Sequence, residues 1–304
     1  MIRVLFFALL IILITPACNN SQSAPLVADN KTSTQNRKIM DAKINGYAFI
    51  NGIKLYYEIH GSEGMPLVLI HGGGSTIETT FGNILPSLAG HYKVIAVELQ
   101  AHGRTSDRES DLSFEQDADD VTGLLKYLKI DKANFFGFSN GGNTSMQIAI
   151  RHPGVVNKLV IASSFYKRDG LIPGFFEGMK QASLENMPAP LKIAYLQVAP
   201  DRNHLQVMHN KDKERMLHFK DWSNEEMLSI KMPVLLIAGD HDVVTPEHAV
   251  EMLRILPQAR LVILPGGHGG YIGEITTANK DSKIPGLTIA LINEFLDEPP
   301  VKSN

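Results

Sequence analysis

The sequence predicts an α/β fold, a mostly parallel β-sheet covered by helices on both faces. Three observations carry this. From about residue 45 onward, short β-rich runs alternate with helical stretches, the pattern of right-handed strand–helix–strand crossovers. Several runs (PLVLI, KVIAV, KLVIA, PVLLIAG) are apolar throughout rather than alternating, which suits strands buried on both faces. The chain has 304 residues, 44% hydrophobic and 20% charged, which is ample for one large domain with a substantial core.

Eight strands are expected, at residues 47–50, 54–60, 67–70, 93–98, 134–137, 158–162, 234–238 and 260–264. Asn51-Gly52 between the first two is a type I′ hairpin signal, because both residues tolerate positive φ. Helix starts fall between strands. Ser113 and Gln116 have capping-box spacing, and Ala118, Val121, Leu125 and Leu128 follow at helical intervals. Thr245-Pro246 places proline at a first helical position. The acidic stretch at 115–120 reads as a solvated helix start that complements the dipole.

Residues 165–229 break the alternation. They contain no strong strand, four prolines (173, 188, 190, 200), seven large aromatics and five of the eleven methionines. This segment is expected to be a helical insertion, a lid over the strand C-termini where α/β proteins place their sites. Core-packing helices with no contact to substrate are the plainer alternative. The expected division is a core of 45–164 and 230–298 with the lid at 165–229.

The first 44 residues stand outside this pattern. Arg3 precedes an apolar run at 4–14 that is too short to span a bilayer and fits a secretory signal. Residues 19–44 begin with a polar, Ser/Thr/Asn-rich stretch that cannot bury a core and reads as a tether. Cys18, the only cysteine, falls where the signal would be cut, so residues 1–18 resemble a bacterial lipoprotein signal. In that family the cysteine becomes the lipid-bearing first residue. Thr15 stands where the family usually has leucine, and Pro16 is unusual. The resemblance implies an exported, membrane-anchored protein. A periplasmic or secreted protein follows if cleavage is ordinary and Cys18 incidental.

Charge narrows the partners. There are 29 basic and 32 acidic residues, a net charge of −3, and no Lys/Arg cluster that could track phosphates, so a nucleic-acid partner is not expected. One cysteine permits no internal disulfide and no thiolate zinc site. The histidines other than His102 and His268 have no spacing that pairs them as metal ligands. No cofactor or metal is implied.

The chemistry is concentrated in NFFGFSNGG at 134–142. Ser139 lies between Gly137 and Gly141, after an apolar strand and before a helical stretch. This is the setting of a nucleophile elbow, in which missing Cβ atoms let the chain bend sharply and expose one hydroxyl at a helix N-terminus. A serine needs a base held by an acid. GDHD supplies Asp240 and Asp242 just past one strand, and PGGHGG supplies His268 just past the last. Asp242 is the expected acid, with Asp240 a turn residue bonded to backbone amides. An acyl-transfer site also needs oxyanion donors. The Gly73 and Asn140 amides are expected to supply them, with Gly74 the alternative to Gly73. HGGGS at 71–75 lacks the frame of a phosphate loop.

LVLIHGGGS, VIAVELQAHGRTS, FFGFSNGG, LLIAGDHDVVTPEHA and LVILPGGHGG together resemble the α/β-hydrolase superfamily, over about residues 45–298. The resemblance implies an eight-stranded, mostly parallel sheet with an inserted cap. It also implies that the segment around His102-Gly103-Arg104 shapes the fold without doing chemistry. Ala101 stands where the family usually has glycine, and Glu98 where it often has aspartate. The superfamily includes esterases, lipases, lactonases, peptidases, C–C bond hydrolases, cofactor-free haloperoxidases, acyltransferases and non-catalytic members. Its aspartate-nucleophile branches do not fit Ser139. The expected activity is hydrolysis of a small hydrophobic ester or lactone through an acyl-enzyme.

Overall fold

The computed structural model describes residues 43–299; the expected signal, Cys18 and nearly all of the tether lie outside them. All eight expected strands form. They are β1 (Ile44–Ile50), β2 (Ile53–His60), β3 (Leu67–Ile70), β4 (Val94–Val97), β5 (Ala133–Phe138), β6 (Val156–Ala162), β7 (Val234–Gly239) and β8 (Ala259–Leu264). The sheet order is β1-β2-β4-β3-β5-β6-β7-β8. Pairing is parallel from β4 through β8, while β2 is antiparallel to both β1 and β4. Asn51 (φ 46°) and Gly52 (φ 85°) make the hairpin turn with positive φ at both positions.

The helices are α1 (Ile77–Phe81), α2 (Leu85–Ala89), α3 (Phe114–Tyr127), α4 (Asn140–Arg151), α5 (Phe175–Lys180), α6 (Ala189–Val198), α7 (Leu205–Leu217), α8 (Asn224–Ser229), α9 (Pro246–Ile255) and α10 (Ile284–Asp297). Neighbouring strand residues feed opposite layers. Val68, Ile70, Ile95 and Val97 join the core with α3, α4 and α9, whereas Leu67, Leu69, Val94 and Ala96 join the core with α1, α2 and α10. This two-sided burial explains why the strands read as unbroken apolar runs.

Two local expectations need correction. Ser113 caps α3 by accepting the Gln116 amide (3.1 Å), but the Gln116 side chain donates to Asp120 (2.9 Å) rather than reaching back. Only half of the capping box forms. The acidic start of α3 is not a solvated face either. Asp117 and Asp120 are buried. Asp117 accepts from Arg215 of α7 (2.7 Å), and Asp120 accepts from Arg108 (2.8 Å) and Asn51 (2.9 Å). Each carboxylate is buried because it meets a cation or amide brought from a distant part of the chain.

The segment between β6 and β7 is helical, as its prolines and lack of strands suggested, and it carries α5 to α8. It packs in two ways. Phe165, Met216, Phe219, Trp222 and Met227 join the main core, with Phe165, Phe219, Trp222 and Phe114 in tilted and edge-to-face contacts. Met187, Tyr195, Leu205 and Met208 form a separate cluster with Ala101. One part of the insertion thus packs into the main core, and Phe165 and Met216 of that part also line the cavity that holds Ser139.

The buried Lys158 of β6 donates to the Phe295, Leu296 and Glu298 carbonyls (2.7, 2.9 and 2.6 Å). One ammonium satisfies the carbonyls that the end of α10 leaves open and complements its dipole. Lys158→Met should keep the fold but lose these charge-assisted bonds, at about 2 kcal/mol. Guanidinium titration should show a lower midpoint with an unchanged m-value.

Candidate active site

The loops after β3, β5, β6, β7 and β8 leave the sheet on one edge, because these strands run parallel. Ser139 sits on the sharpest of these turns, with φ 54° and ψ −124°. A non-glycine residue is strained at positive φ, and the surroundings hold it there. The Ser139 amide donates to Ala162 O (2.8 Å), and Ser164 Oγ donates to Ser139 O (2.8 Å). The flanking glycines are needed for close approach. A Cβ on Gly137 would lie 2.1 Å from Gly141 O, and one on Gly141 would lie 2.0 Å from Ile70 O. Sequence reasoning missed Gly142, where a Cβ would lie 1.8 Å from Ser164 Oγ. The helix begins at Asn140, directly after the serine.

Ser139, His268 and Asp242 come together. His268 Nε2 lies 3.1 Å from Ser139 Oγ, and His268 Nδ1 lies 2.7 Å from Asp242 Oδ1. Asp242 is buried, whereas His268 is partly open to the cavity. The Asp242 carboxylate also accepts from the Val243 amide (2.7 Å), the Gly239 amide (3.2 Å) and the Ser163 hydroxyl. Burial works against its charge, but His268 and these donors hold its carboxyl below the usual carboxylate range. Asp240 turns outward and accepts the Gly266 amide (2.8 Å), the turn role expected of it.

Ser163 was not singled out in the sequence. It has φ 52°, its hydroxyl meets Asp242, and it lies 2.6 Å from the Tyr271 hydroxyl. A lone serine after an apolar run gives no signal; the role comes from β6 ending beside β7.

The HGGGS loop, the expected source of oxyanion donors, follows β3 directly. No hydrogen-bond partner is found for the Gly73 and Asn140 amides among the described residues, and both residues line the cavity with Ser139. Gly74, the alternative donor, is already engaged. Its amide donates to Asp212 Oδ2 (2.5 Å), which favours Gly73 over Gly74. One residue earlier, His71 Nδ1 donates to Gly72 O (2.7 Å), and His71 Nε2 accepts the Leu99 amide (3.0 Å). Burial and the neighbouring His102 charge push the His71 pKa down to about 3, so the ring is neutral with its proton on Nδ1. The Gly73 N–H shares a trans peptide with Gly72 O and points the opposite way.

His102 ties the loop after β4 to helix α7. Its Nδ1 donates to Gln100 O (2.8 Å), and Nε2 lies 2.8 Å from Asp212. Burial opposes a charge there, but Asp212 outweighs it and raises the His102 pKa. Ala101 has φ 66°, which accounts for the family preference for glycine at this position.

The cavity above Ser139 has a volume of about 360 Å³. The insertion supplies much of its wall, including Phe175, Met179, Met187, Leu191, Met208 and Met216. Among the described residues no group of three or more His, Cys, Asp or Glu is placed to hold a metal ion.

A sharp elbow serine, a histidine in reach, a buried acid and an eight-stranded sheet of this order define an α/β-hydrolase site. A family model described as alpha/beta hydrolase fold matches residues 65–274, and the chain belongs to that family. It is 29% identical over 138 residues to the 2-hydroxy-6-oxo-6-(2'-aminophenyl)hexa-2,4-dienoic acid hydrolase of Metapseudomonas resinovorans, across 44% of this chain and 47% of that protein. The match thus spans about half of that relative. It is 26% identical over 233 residues to the human serine hydrolase BPHL, across 72% of this chain and 77% of that protein. The enol-lactonase from Burkholderia xenovorans LB400 superposes with a TM-score of 0.64 at 23% identity, over 83% of this chain and 100% of that one. This last likeness speaks to the fold alone.

The two aspartates of GDHD should separate by mutation. Asp242→Asn should fold normally but favour the wrong imidazole tautomer, lowering kcat by about 10⁴-fold. Asp240→Asn should stay within about tenfold of wild type, since it loses only a turn hydrogen bond. Steady-state kinetics of the two purified variants decide the ranking.

Proposed function

We propose that this protein is a serine hydrolase that cleaves a small, hydrophobic carboxylic ester or lactone through an acyl-enzyme. The observation that carries this reading is the Ser139–His268–Asp242 hydrogen-bond chain at the base of an apolar-walled cavity. His268 takes the Ser139 proton as the hydroxyl attacks the carbonyl. Asp242 holds the tautomer and stabilises the imidazolium. The Gly73 and Asn140 amides receive the oxyanion, and His268 then protonates the leaving alcohol. Water activated by the same histidine releases the acid. In a cavity of this size an acyl or alcohol group of modest bulk is enclosed, and the methionine-rich wall suits apolar groups of varied shape.

A panel of ester, lactone and amide substrates with varied chain length tests this, run beside Ser139→Ala. The alanine variant should lose about 10³-fold or more in kcat/KM, and an organophosphonate should label wild type at Ser139. Retention of most activity by clean Ser139→Ala protein would sink the assignment. Cleavage of a C–C bond in a vinylogous diketone without ester hydrolysis would move the protein to C–C hydrolysis. Ester formed from added alcohol in preference to free acid would make it an acyltransferase.

A second element of the reading concerns location. The apolar run at 4–14, Cys18 at its end and the polar stretch after it support an exported enzyme tethered by lipid on Cys18. Each buried CH₂ of an acyl chain adds about 0.8 kcal/mol of membrane affinity, so several chains hold it stably. Expressed in a host competent for lipoproteins, the full chain should incorporate a fatty-acid analogue and partition into Triton X-114. Cys18→Ser should lose the label. A chain beginning at Ala42 should be soluble and fully active. Absence of label on wild type would leave a periplasmic or secreted protein.

A further inference from the structure

The insertion reaches into the catalytic edge at one polar point. Asp212 lies on α7, one turn from Met208 and Met216, and lines the cavity with Ser139. It is largely buried and fully partnered. Oδ2 accepts the Gly74 amide (2.5 Å) and lies 2.8 Å from His102 Nε2, while Oδ1 pairs with Arg215. Arg215 in turn pairs with Asp117 of α3 (2.7 Å). An acid on a surface insertion has no reason to be drawn this deep unless cations meet it, because a buried unpaired carboxylate is strongly unfavourable. Two basic side chains do meet it, His102 from the core and Arg215 from its own helix.

We propose that Asp212 is a positioning residue that couples docking of the insertion to assembly of the oxyanion hole. The inference rests on the serine-hydrolase reading above. Two successive peptides of HGGG are held from opposite sides. His71 holds the Gly72–Gly73 peptide by its carbonyl, which directs the Gly73 N–H the other way, and Asp212 holds the Gly73–Gly74 peptide by its N–H. Glycines have no side chain to set their own torsions, so the loop takes its conformation from these two anchors together with weaker bonds from Ser75 to Gly72 O (3.4 Å) and Gly73 O (3.3 Å) and from the Gly74 amide to His102 Nε2 (3.2 Å). His71 belongs to the core, whereas Asp212 belongs to the insertion. When α7 leaves, the Gly74 amide loses its carboxylate acceptor and keeps only His102 Nε2 at 3.2 Å, so the peptide that follows Gly73 is held less firmly and the Gly73 N–H is less tightly confined. The donor is then best preorganised when the cavity is closed around the acyl group. Water reaching an open site would meet an incomplete hole, so closure favours attack on enclosed substrate.

The experiment compares wild type, Asp212→Ala and Asp212→Asn on the best ester of the panel. Each is also titrated with a boronic acid and with the ether isostere of that ester. The tetrahedral boronate places an oxygen in the hole, whereas the ether has no carbonyl and reports on the cavity alone. Asp212→Ala should lower kcat about 10²-fold, in the range for loss of one oxyanion donor, with KM within about threefold. Boronate affinity should fall in parallel while ether affinity stays. Asp212→Asn keeps an acceptor but turns an N–H toward one of its former donors, so it should fall about tenfold. If the alanine variant does not fold, the asparagine variant decides. Wild-type kcat in either folded variant overturns the inference, and so does equal weakening of boronate and ether, which would mark general distortion of the cavity. Activity retained in Ser139→Ala would instead overturn the reading on which it rests.

Discussion

The turn after β5 packs against the end of β3 with no side chain between them, and a Cβ on Gly141 would stand 2.0 Å from the Ile70 carbonyl. That contact brings the N-terminus of α4 down onto the sheet edge. Ser139 is left at the crest of the bend with φ 54°. The strain is held by hydrogen bonds on the far side, to Ala162 O at the end of β6 and from the Ser164 hydroxyl just past it. The loop after β3 also approaches the start of α4, where a Cβ on Gly73 would stand 2.5 Å from Asn140 Nδ2. A hydroxyl and a helix N-terminus are placed by one close packing of backbone on backbone.

Around that point, the parallel sheet delivers the remaining groups. Strands β7 and β8 end beside β6 on the same edge, which brings Asp242 and His268 to Ser139 from more than a hundred residues away in sequence. Asp242 can be both buried and ionised because amides, a hydroxyl and the imidazole replace the water that it loses. Ser163 and Tyr271 fix the outer side of that carboxylate, leaving Oδ1 to face the histidine.

The second polar cluster, His71–His102–Asp212–Arg215–Asp117, joins four parts of the chain that the hydrophobic pattern alone would leave independent: the loops after β3 and β4, the start of α3 and helix α7. Apolar contact holds the insertion on the core but is non-directional. Charge-assisted hydrogen bonds are directional, and here they set where α7 stops relative to the glycine loop.

All eight strands were legible in the sequence because two-sided burial demands unbroken apolar runs, and period and turn chemistry are local properties. The three residues proposed as the triad were singled out in the sequence, and the fold brings them within hydrogen-bonding reach. A nucleophile elbow requires glycines at fixed spacing, and acid and histidine must follow strands whose order is set by the parallel topology. What tertiary structure alone decided was the fate of charge. The acidic start of α3 looks solvated in sequence because aspartates at a helix N-terminus usually are. Asp117 and Asp120 are buried only because Arg215 and Arg108, 98 and 12 residues away, arrive to meet them. Asp212 and Ser163 carried no pattern at all, since a single polar residue acquires its role from what long-range packing places against it. Local sequence records the covalent and periodic constraints on a segment. The partner that makes a buried charge tolerable is a property of the folded chain, and it exists only once distant elements share one surface.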